Sequence, residues 1–483
     1  MASAGDVRSI RPLGAGALAT VLTALMMWFG NGLNPIWPLI WFAMLPVLWF
    51  SLCNSRLAMA IVAISSMLLG GLNMWHYLHG VLGASIWITV YSIAAVVFAA
   101  AVLLMRALVL QGWIWSALIA LPSVWVTYEY VRNLVTPHGS AGSLAYTQLR
   151  FLPFLQLASL TGPWGMTFFL LLFQSAIAIG FYLWPTERRR AIRVVGVGLG
   201  MVTAVLLFGA VRLAMPQGNT VRVGLISSDQ HAYANVADEG EPTEQLFRAY
   251  SQQAERLAAQ GAQMIVMPEK LGVVVDPETM TMDSTLQATA NKTGATIVAG
   301  VVRVAAPMKY NEARVYVPHV QVASYDKQHM LPPFESNLEP GTALTMLPRE
   351  HEAIGVAICK DMDFARPARS YGLAGAGVLL VPAWDFFVDD AWHGHIAIMR
   401  GVEDGFSVVR SAKGGLLTVS DWRGGIVAEA RSNSAPFATL VANVPAEHHS
   451  TVYQRLGDWF AWVVMASLVF VLTAAWRSRQ FAL

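Results

Sequence analysis

Cysteine is almost absent: two residues, Cys53 and Cys359, in a chain of 483. That excludes a disulfide framework and any zinc site built on several thiolates. Charge is scarce too. Asp, Glu, Lys and Arg make up 13% of the residues, against about 25% in an ordinary soluble domain. With 55% hydrophobic residues and a mean hydropathy of +0.49, part of this protein must be solvated by lipid. The formal net charge is only +2, so no field of one sign points to nucleic acid as a partner. H-E-x-x-H, G-x-S-x-G and P-loop patterns are missing as well. The pair His393-x-His395 lacks further ligand spacing, so we expect a solvated helix start there and neither a metal nor a cofactor.

What is present is lopsided. Hydrophobic runs crowd residues 13–215, with expected spans at Leu13–Phe29, Pro35–Cys53, Leu57–Trp75, Leu82–Met105, Trp113–Tyr130, Trp164–Trp184 and Val194–Leu213. Each approaches the ~20 residues an apolar helix needs to cross the hydrocarbon core. Arg8 and Arg11 precede the first run as in a signal peptide, yet no A-x-A-like cleavage site follows, so a retained helix is expected. From Gln217 to about Gln454 the text turns to charges, prolines and short strands, and Trp459–Trp476 forms a last apolar run. The expected plan is a membrane domain over 1–216, an inserted domain over 217–454, and a closing span with its tail over 455–483. That makes a polytopic α-helical membrane protein with about eight transmembrane helices.

Arginine sets the orientation. Arg8, Arg11, Arg56, Arg106, the run Arg188, Arg189, Arg190 and Arg193, and finally Arg477 and Arg479 all fall on one side of an eight-span plan. Arg132, Arg150, Arg212 and Arg455 are the exceptions. The positive-inside rule then makes both termini cytoplasmic and turns the inserted domain outward. Cys53 lies at the cytoplasmic end of the second span, so it cannot pair with Cys359.

Within the inserted domain, runs rich in Val and Ile recur at Val221–Ser227, Gln263–Glu269, Ala295–Val302, Ala353–Asp361 and Gly377–Asp385. They alternate with helical patterns such as Thr243–Ala259. "LLTVSD" and "IVAEA" flank "WRGG" as a hairpin. Strands covered by helices give a layered α/β unit whose active groups gather at the carboxyl ends of strands. Three ionisable residues fall at such ends: Glu269, Lys327 and Cys359. The trio makes a coherent chemical set. A thiol near pKa ~8.5 needs a base to become a nucleophile, a glutamate can move that proton, and an ammonium can stabilise the oxyanion of acyl transfer.

The ordered motifs "MPEK", "YDKQHMLPPFE" and "ICKDMDF" resemble the Glu-Lys-Cys signature of the nitrilase, or carbon–nitrogen hydrolase, superfamily. The resemblance implies an αββα sandwich with Glu269 as general base, Lys327 as oxyanion stabiliser and Cys359 as nucleophile. It also makes Glu335 a second glutamate that positions the lysine and substrate. Spans before and after such a domain resemble the apolipoprotein N-acyltransferase family, as do "YEYVRN", "GSAGSLAYTQ", "LQLASLTGPWGMTFFLLL" and "HIAIMRGVEDGFSVVRSAKGG". That family resemblance implies a multi-pass protein of the bacterial inner membrane with a periplasmic catalytic domain. It implies a phospholipid as acyl donor, a diacylglyceryl lipoprotein as acceptor, and a thioester on Cys359.

The chain departs from the family's pattern beside the nucleophile. Lys360 and Asp361 stand where the family has Tyr and Glu, which makes both candidate substrate-binding residues. Glu129, at membrane depth, is another candidate for the lipid entry. The residues by themselves also allow a Cys-His dyad using His329, His393 or His395. At the level of function they allow a membrane-tethered amidase, or an acyltransferase with a different amine acceptor.

Overall fold

The computed structural model describes residues 12–230, 236–277, 279–349 and 352–480. Arg8 and Arg11 lie outside them. Among the described residues, five helices are long and apolar enough to cross a membrane: Leu13–Gly30, Arg56–Leu82, Ala84–Leu110, Pro163–Leu183 and Arg188–Leu213. The expected count of eight goes beyond these. The expected span Pro35–Cys53 is broken into a 3-10 turn, Trp37–Trp41, and a short helix, Leu45–Cys53. Pro38 and Pro46 each begin a new turn there, because proline has no N–H to continue the ladder. The helix Ile114–Val135 is long enough but carries Pro122, Glu129 and Arg132. In the last helix, Trp459–Gln480, the apolar stretch is Trp459–Thr473. The helices expose Leu57, Val96, Leu207, Val211 and Phe470 at 61–73%, an apolar surface that lipid satisfies and water does not.

Two of the arginine-bearing connections meet their neighbours at one end of this bundle. Arg106 donates to Ser51 O and Asn54 O, both at 2.8 Å, and Arg190 donates to Gly112 O at 2.7 Å. The α/β unit sits at the other end, beyond Val135 of the helix Ile114–Val135, where Ser140 N donates to Asp363 O at 3.1 Å.

Among the described residues, thirteen strands build the α/β unit: β1 (Thr220–Ser227), β2 (Met264–Val266), β3 (Val273–Val275), β4 (Thr296–Ala305), β5 (Met308–Tyr316), β6 (Ala323–Asp326), β7 (Thr345–Arg349), β8 (Glu352–Val356), β9 (Ala376–Trp384), β10 (Ser407–Lys413), β11 (Leu416–Ser420), β12 (Ile426–Arg431) and β13 (Ala438–Pro445). One sheet runs β13-β1-β2-β4-β5-β6 with β3 beside β4, and the other runs β12-β11-β10-β9-β8-β7. β1, β2 and β4 are parallel, with β3 parallel beside β4, as are β8, β9 and β10, and antiparallel strands complete each sheet. Alternation sorts the side chains. Val221, Val223, Leu225 and Val298 face the second sheet. Ile226, Ile297 and Ala299 face the helices Glu241–Ala259 and Thr279–Thr293.

The helix Trp392–Asp404 lies on the outer face of the second sheet, and it is shared. Its Ala397 joins the core of the α/β unit, whereas Ile396, Met399 and Val402 join the core of the membrane helices. Arg400 on that helix donates to Tyr146 OH at 2.9 Å, and Trp164 Nε1 donates to Asp458 Oδ1 at 2.7 Å. The two halves are thus packed through a common apolar layer and pinned by the buried Arg400–Tyr146 pair.

Candidate active site

Cys359 opens a 3-10 turn, Cys359–Asp363, three residues beyond the end of β8. Its φ of +42° is left-handed, a strained conformation for a residue with a Cβ that persists only where its surroundings over-determine it. Asp361 supplies that determination. Its fully buried carboxylate accepts from Ile358 N (3.1 Å), Tyr325 OH (2.8 Å), Gln328 N (3.1 Å) and His329 N (2.9 Å). The Cys359 thiol reaches Trp384 O at 3.5 Å. Burial pushes this thiol up, the Glu269 carboxylate pushes it further, and Lys327 and Arg410 oppose them. The resting sulfur is therefore protonated and needs a base to react.

Glu269 lies just past β2, with its backbone N–H on Ala383 O at 3.2 Å. Gly300 of β4 permits this approach, because a Cβ there would lie 2.5 Å from Glu269 Cα. Lys327 follows β6, and its Nζ donates to Glu269 Oε1 and to Glu335 Oε2, both at 2.8 Å. Burial works against this ammonium, but the two carboxylates more than offset it and hold the lysine charged. Glu335 Oε1 accepts from Lys270 Nζ at 2.7 Å, and its Oε2 accepts from Leu331 N at 2.9 Å. Burial raises Glu335, yet Lys327 and Lys270 bring it down to about 2.

The structure thus brings Glu269, Lys327, Glu335 and Cys359 to one place. The other sequence candidates divide. Asp361 is spoken for by the turn and does not line the cavity. Lys360 does line it, 4% exposed, with Nζ 3.2 Å from Asp363 Oδ2 and 3.3 Å from His138 Nδ1. Glu129 both lines the cavity and accepts four bonds, from Trp125 Nε1, Ser143 Oγ, Leu144 N and Thr167 Oγ1 at 2.7–3.1 Å. None of the three dyad histidines bonds to the sulfur. His329 stacks on Phe364 at 3.8 Å and bonds to Asp361. His395 lies 3.4 Å from Glu429. The expected solvated helix start is wrong for His393, which is largely buried between Asp363 (3.4 Å) and Asp389 (3.2 Å). Burial opposes its charge, but these carboxylates raise it to about 10.

Several site residues were not singled out in the sequence. Asn311 of β5 bridges Glu269 Oε1 (2.6 Å) and Glu335 Oε1 (2.8 Å). Arg410 of β10 holds Asp385 bidentately at 2.6 and 2.8 Å. Lys413 lies 3.7 Å from the Trp384 ring centre, and burial followed by repulsion from Lys270 lowers it to about 7. Alternating strand positions look alike whether they face apolar core or a polar site. Only "MPEK" hinted at Lys270.

Cys359, Glu269, Lys327 and Glu335 line one part of a cavity of about 780 Å³ that continues between the membrane helices to Met27, Met67, Val90, Ala94 and Trp125. Such a space takes a long apolar chain at one end and presents polar, reactive groups at the other. Chemically, the arrangement is equipped for nucleophilic acyl transfer.

Residues 222–435 match the family model described as carbon-nitrogen hydrolase. The α/β unit is thus of the class whose sandwich and strand-end cysteine it displays. Residues 19–176 match the apolipoprotein N-acyltransferase N-terminal domain. The apolipoprotein N-acyltransferase of Geobacter metallireducens is 26% identical over 404 residues, covering 76% of this chain and 75% of that protein. Apolipoprotein N-acyltransferase 1 of Treponema denticola is 22% identical over 424 residues, covering 72% and 75%. Among solved structures, the amidase from Nesterenkonia sp. AN1 in complex with butyramide is 21% identical and covers 50% of this chain and 95% of that one, at a TM-score of 0.42. The chain belongs to the apolipoprotein N-acyltransferase family.

Proposed function

We propose that this enzyme moves a fatty acyl chain from a phospholipid to the N-terminal amine of a diacylglyceryl-cysteine lipoprotein, through a thioester on Cys359. In the first step Glu269 takes the thiol proton as sulfur attacks the ester carbonyl, and the C–S bond forms. Lys327 stabilises the oxyanion, the ester C–O bond breaks, and the proton returns to the leaving lysophospholipid oxygen. In the second step the amine attacks the thioester, Glu269 takes an amine proton, the C–N bond forms, and the sulfur leaves and is reprotonated. Glu335, with Asn311 and Lys270, positions Lys327. The observation that carries this reading is the continuity of the cavity, from the Cys359 turn into the apolar helices. A site at that depth meets two lipid-anchored substrates by lateral diffusion. We further propose eight spans in the bacterial inner membrane, with both termini cytoplasmic and the α/β unit periplasmic. Arg106 and Arg190 at one end of the bundle and the α/β unit at the other support that orientation.

The test is direct. Purified protein is incubated with phospholipid, with and without a diacylglyceryl-peptide, and analysed by mass spectrometry. An acyl adduct on Cys359 that transfers to the peptide amine is expected, with no adduct in Cys359→Ala. An adduct that discharges only to water would make the enzyme an amidase-like hydrolase and sink the transferase reading.

A further inference from the structure

Lys360 stands directly after the nucleophile, and its ammonium is turned into the same cavity rather than out to water. It is held between two elements. Asp363 on its own turn lies 3.2 Å away, and His138, in the connection that follows the helix Ile114–Val135, lies 3.3 Å away at Nδ1. Burial, and then the Lys360 charge itself, lowers His138 to about 4, so the ring is neutral at pH 7. Its Nδ1 accepts from the ammonium, which leaves Nε2–H as a donor. Gly139, beside His138, approaches the nucleophile turn so closely that a Cβ there would lie 2.4 Å from Asp363 O. The geometry of this pair is therefore set by backbone contact.

Arg132 completes the group. It ends the same helix, lines the same cavity, and donates to Ala141 O at 2.8 Å while lying 6.0 Å from the Tyr128 ring centre. Among the described residues it makes no ion pair. Glu129, one turn earlier, takes its four bonds from other donors. Other charged groups of the site are paired. His393 is shared by Asp363 and Asp389, Arg410 by Asp385, and Lys327 and Lys270 by Glu269 and Glu335. A guanidinium that makes no ion pair among the described residues, and whose charge acts on His138, lines the same cavity as an ammonium and a neutral N–H donor; together they suit an anion with several acceptor oxygens.

We infer that Lys360, His138 and Arg132 form the subsite for the phosphodiester of the acyl donor, so that donors are selected for their phosphate and not only for their acyl chains. The inference rests on the proposed phospholipid donor. In a glycerophospholipid the reacting ester and the phosphate hang on the same three-carbon glycerol. A phosphate held one residue from Cys359 therefore brings an ester carbonyl to the sulfur.

The first half-reaction tests this without reference to the acceptor. Acyl-enzyme formation on Cys359 is followed by mass spectrometry, using the full-length protein in detergent and two donors with identical acyl chains, phosphatidylglycerol and diacylglycerol. The wild type is expected to favour phosphatidylglycerol. Lys360→Gln and Arg132→Gln should each lower the phosphatidylglycerol-to-diacylglycerol ratio of kcat/KM by about tenfold, the scale of one charge-assisted hydrogen bond, mainly through KM. Lys360→Arg should keep most of the ratio. A ratio unchanged in both glutamine variants, with both donors slowed in parallel, overturns the phosphate subsite and leaves these residues as structural supports. Inorganic phosphate that slows both donors equally, at low millimolar concentration, would identify a free-phosphate site and also overturn it. An acyl-enzyme that shows the expected ratios yet never passes its chain to an amine would sink the transferase reading while this inference stands.

Discussion

Lys327 is the residue on which the site's electrostatics turn. It sits at 2% exposure between two carboxylates that are each 1% exposed. Lys327→Met leaves two buried carboxylates with Lys270, Asn311 and the Leu331 N–H as their remaining donors. Loss of one partner of a buried pair costs about 3–5 kcal/mol, so a lowered unfolding midpoint is expected together with a rate loss of about 10²–10³-fold for the missing oxyanion donor. Thermal denaturation in detergent and the acylation rate check the two parts separately. Glu335 adds a pH signature. Its folded value of about 2 lies below its ordinary 4.5, so between these values the unfolded chain binds more protons and stability rises with pH. Its contribution is whole above pH 4.5 and is lost as pH falls toward 2. Glu335→Gln should flatten the fall of the unfolding midpoint between pH 4.5 and 3. An unaltered slope would show that other groups carry it. These residues were legible because their order and spacing follow a strong motif, whereas Asn311 was not. An asparagine in a strand has no pattern of its own, and its role exists only where β5 brings it across from Glu269.

At the scale of elements, strand ends make the site and close backbone approaches set their positions. β4 meets the Glu269 segment at Gly300, where an added Cβ would lie 2.6 Å from Pro268 O. Gly300→Ala should cost about 1–3 kcal/mol through overpacking. It should also slow acylation, because it moves the base and not a surface loop. Full activity with an unchanged unfolding midpoint would show that the segment shifts freely. The expected strands at Val221–Ser227 and Gly377–Asp385 fall within one residue of β1 and β9, where continuous apolar runs are buried on both faces. β5 and β7 were missed: both are partly polar, and their existence depends on the neighbours they pair with. The apolar runs likewise marked where helices stand but not where proline divides them, as Pro38 and Pro46 do.

For the whole molecule, the question is how a membrane bundle and a sandwich act as one enzyme. The helix Trp392–Asp404 gives one side to each, and Tyr146 ties them. Its hydroxyl takes a bond from Arg400 at 2.9 Å and pairs with Ser140 Oγ at 2.6 Å, all fully or nearly buried. Tyr146→Phe removes that oxygen and leaves Arg400 short of an acceptor. The expected loss is about 1–3 kcal/mol, read as a lower unfolding midpoint, and a wild-type midpoint would show that the pair is replaced by water. By itself, the sequence determined that lipid solvates half of this chain, that a layered α/β unit is inserted, and that Glu269, Lys327 and Cys359 belong together. Hydropathy, strand burial and motif spacing are properties of neighbours along the chain. Only the tertiary structure decided that Asp361 braces the nucleophile's turn, that His393 is locked between two carboxylates, and that Lys360 meets His138 and the end of a membrane helix. Those facts depend on distances between segments far apart in sequence, which local patterns do not encode.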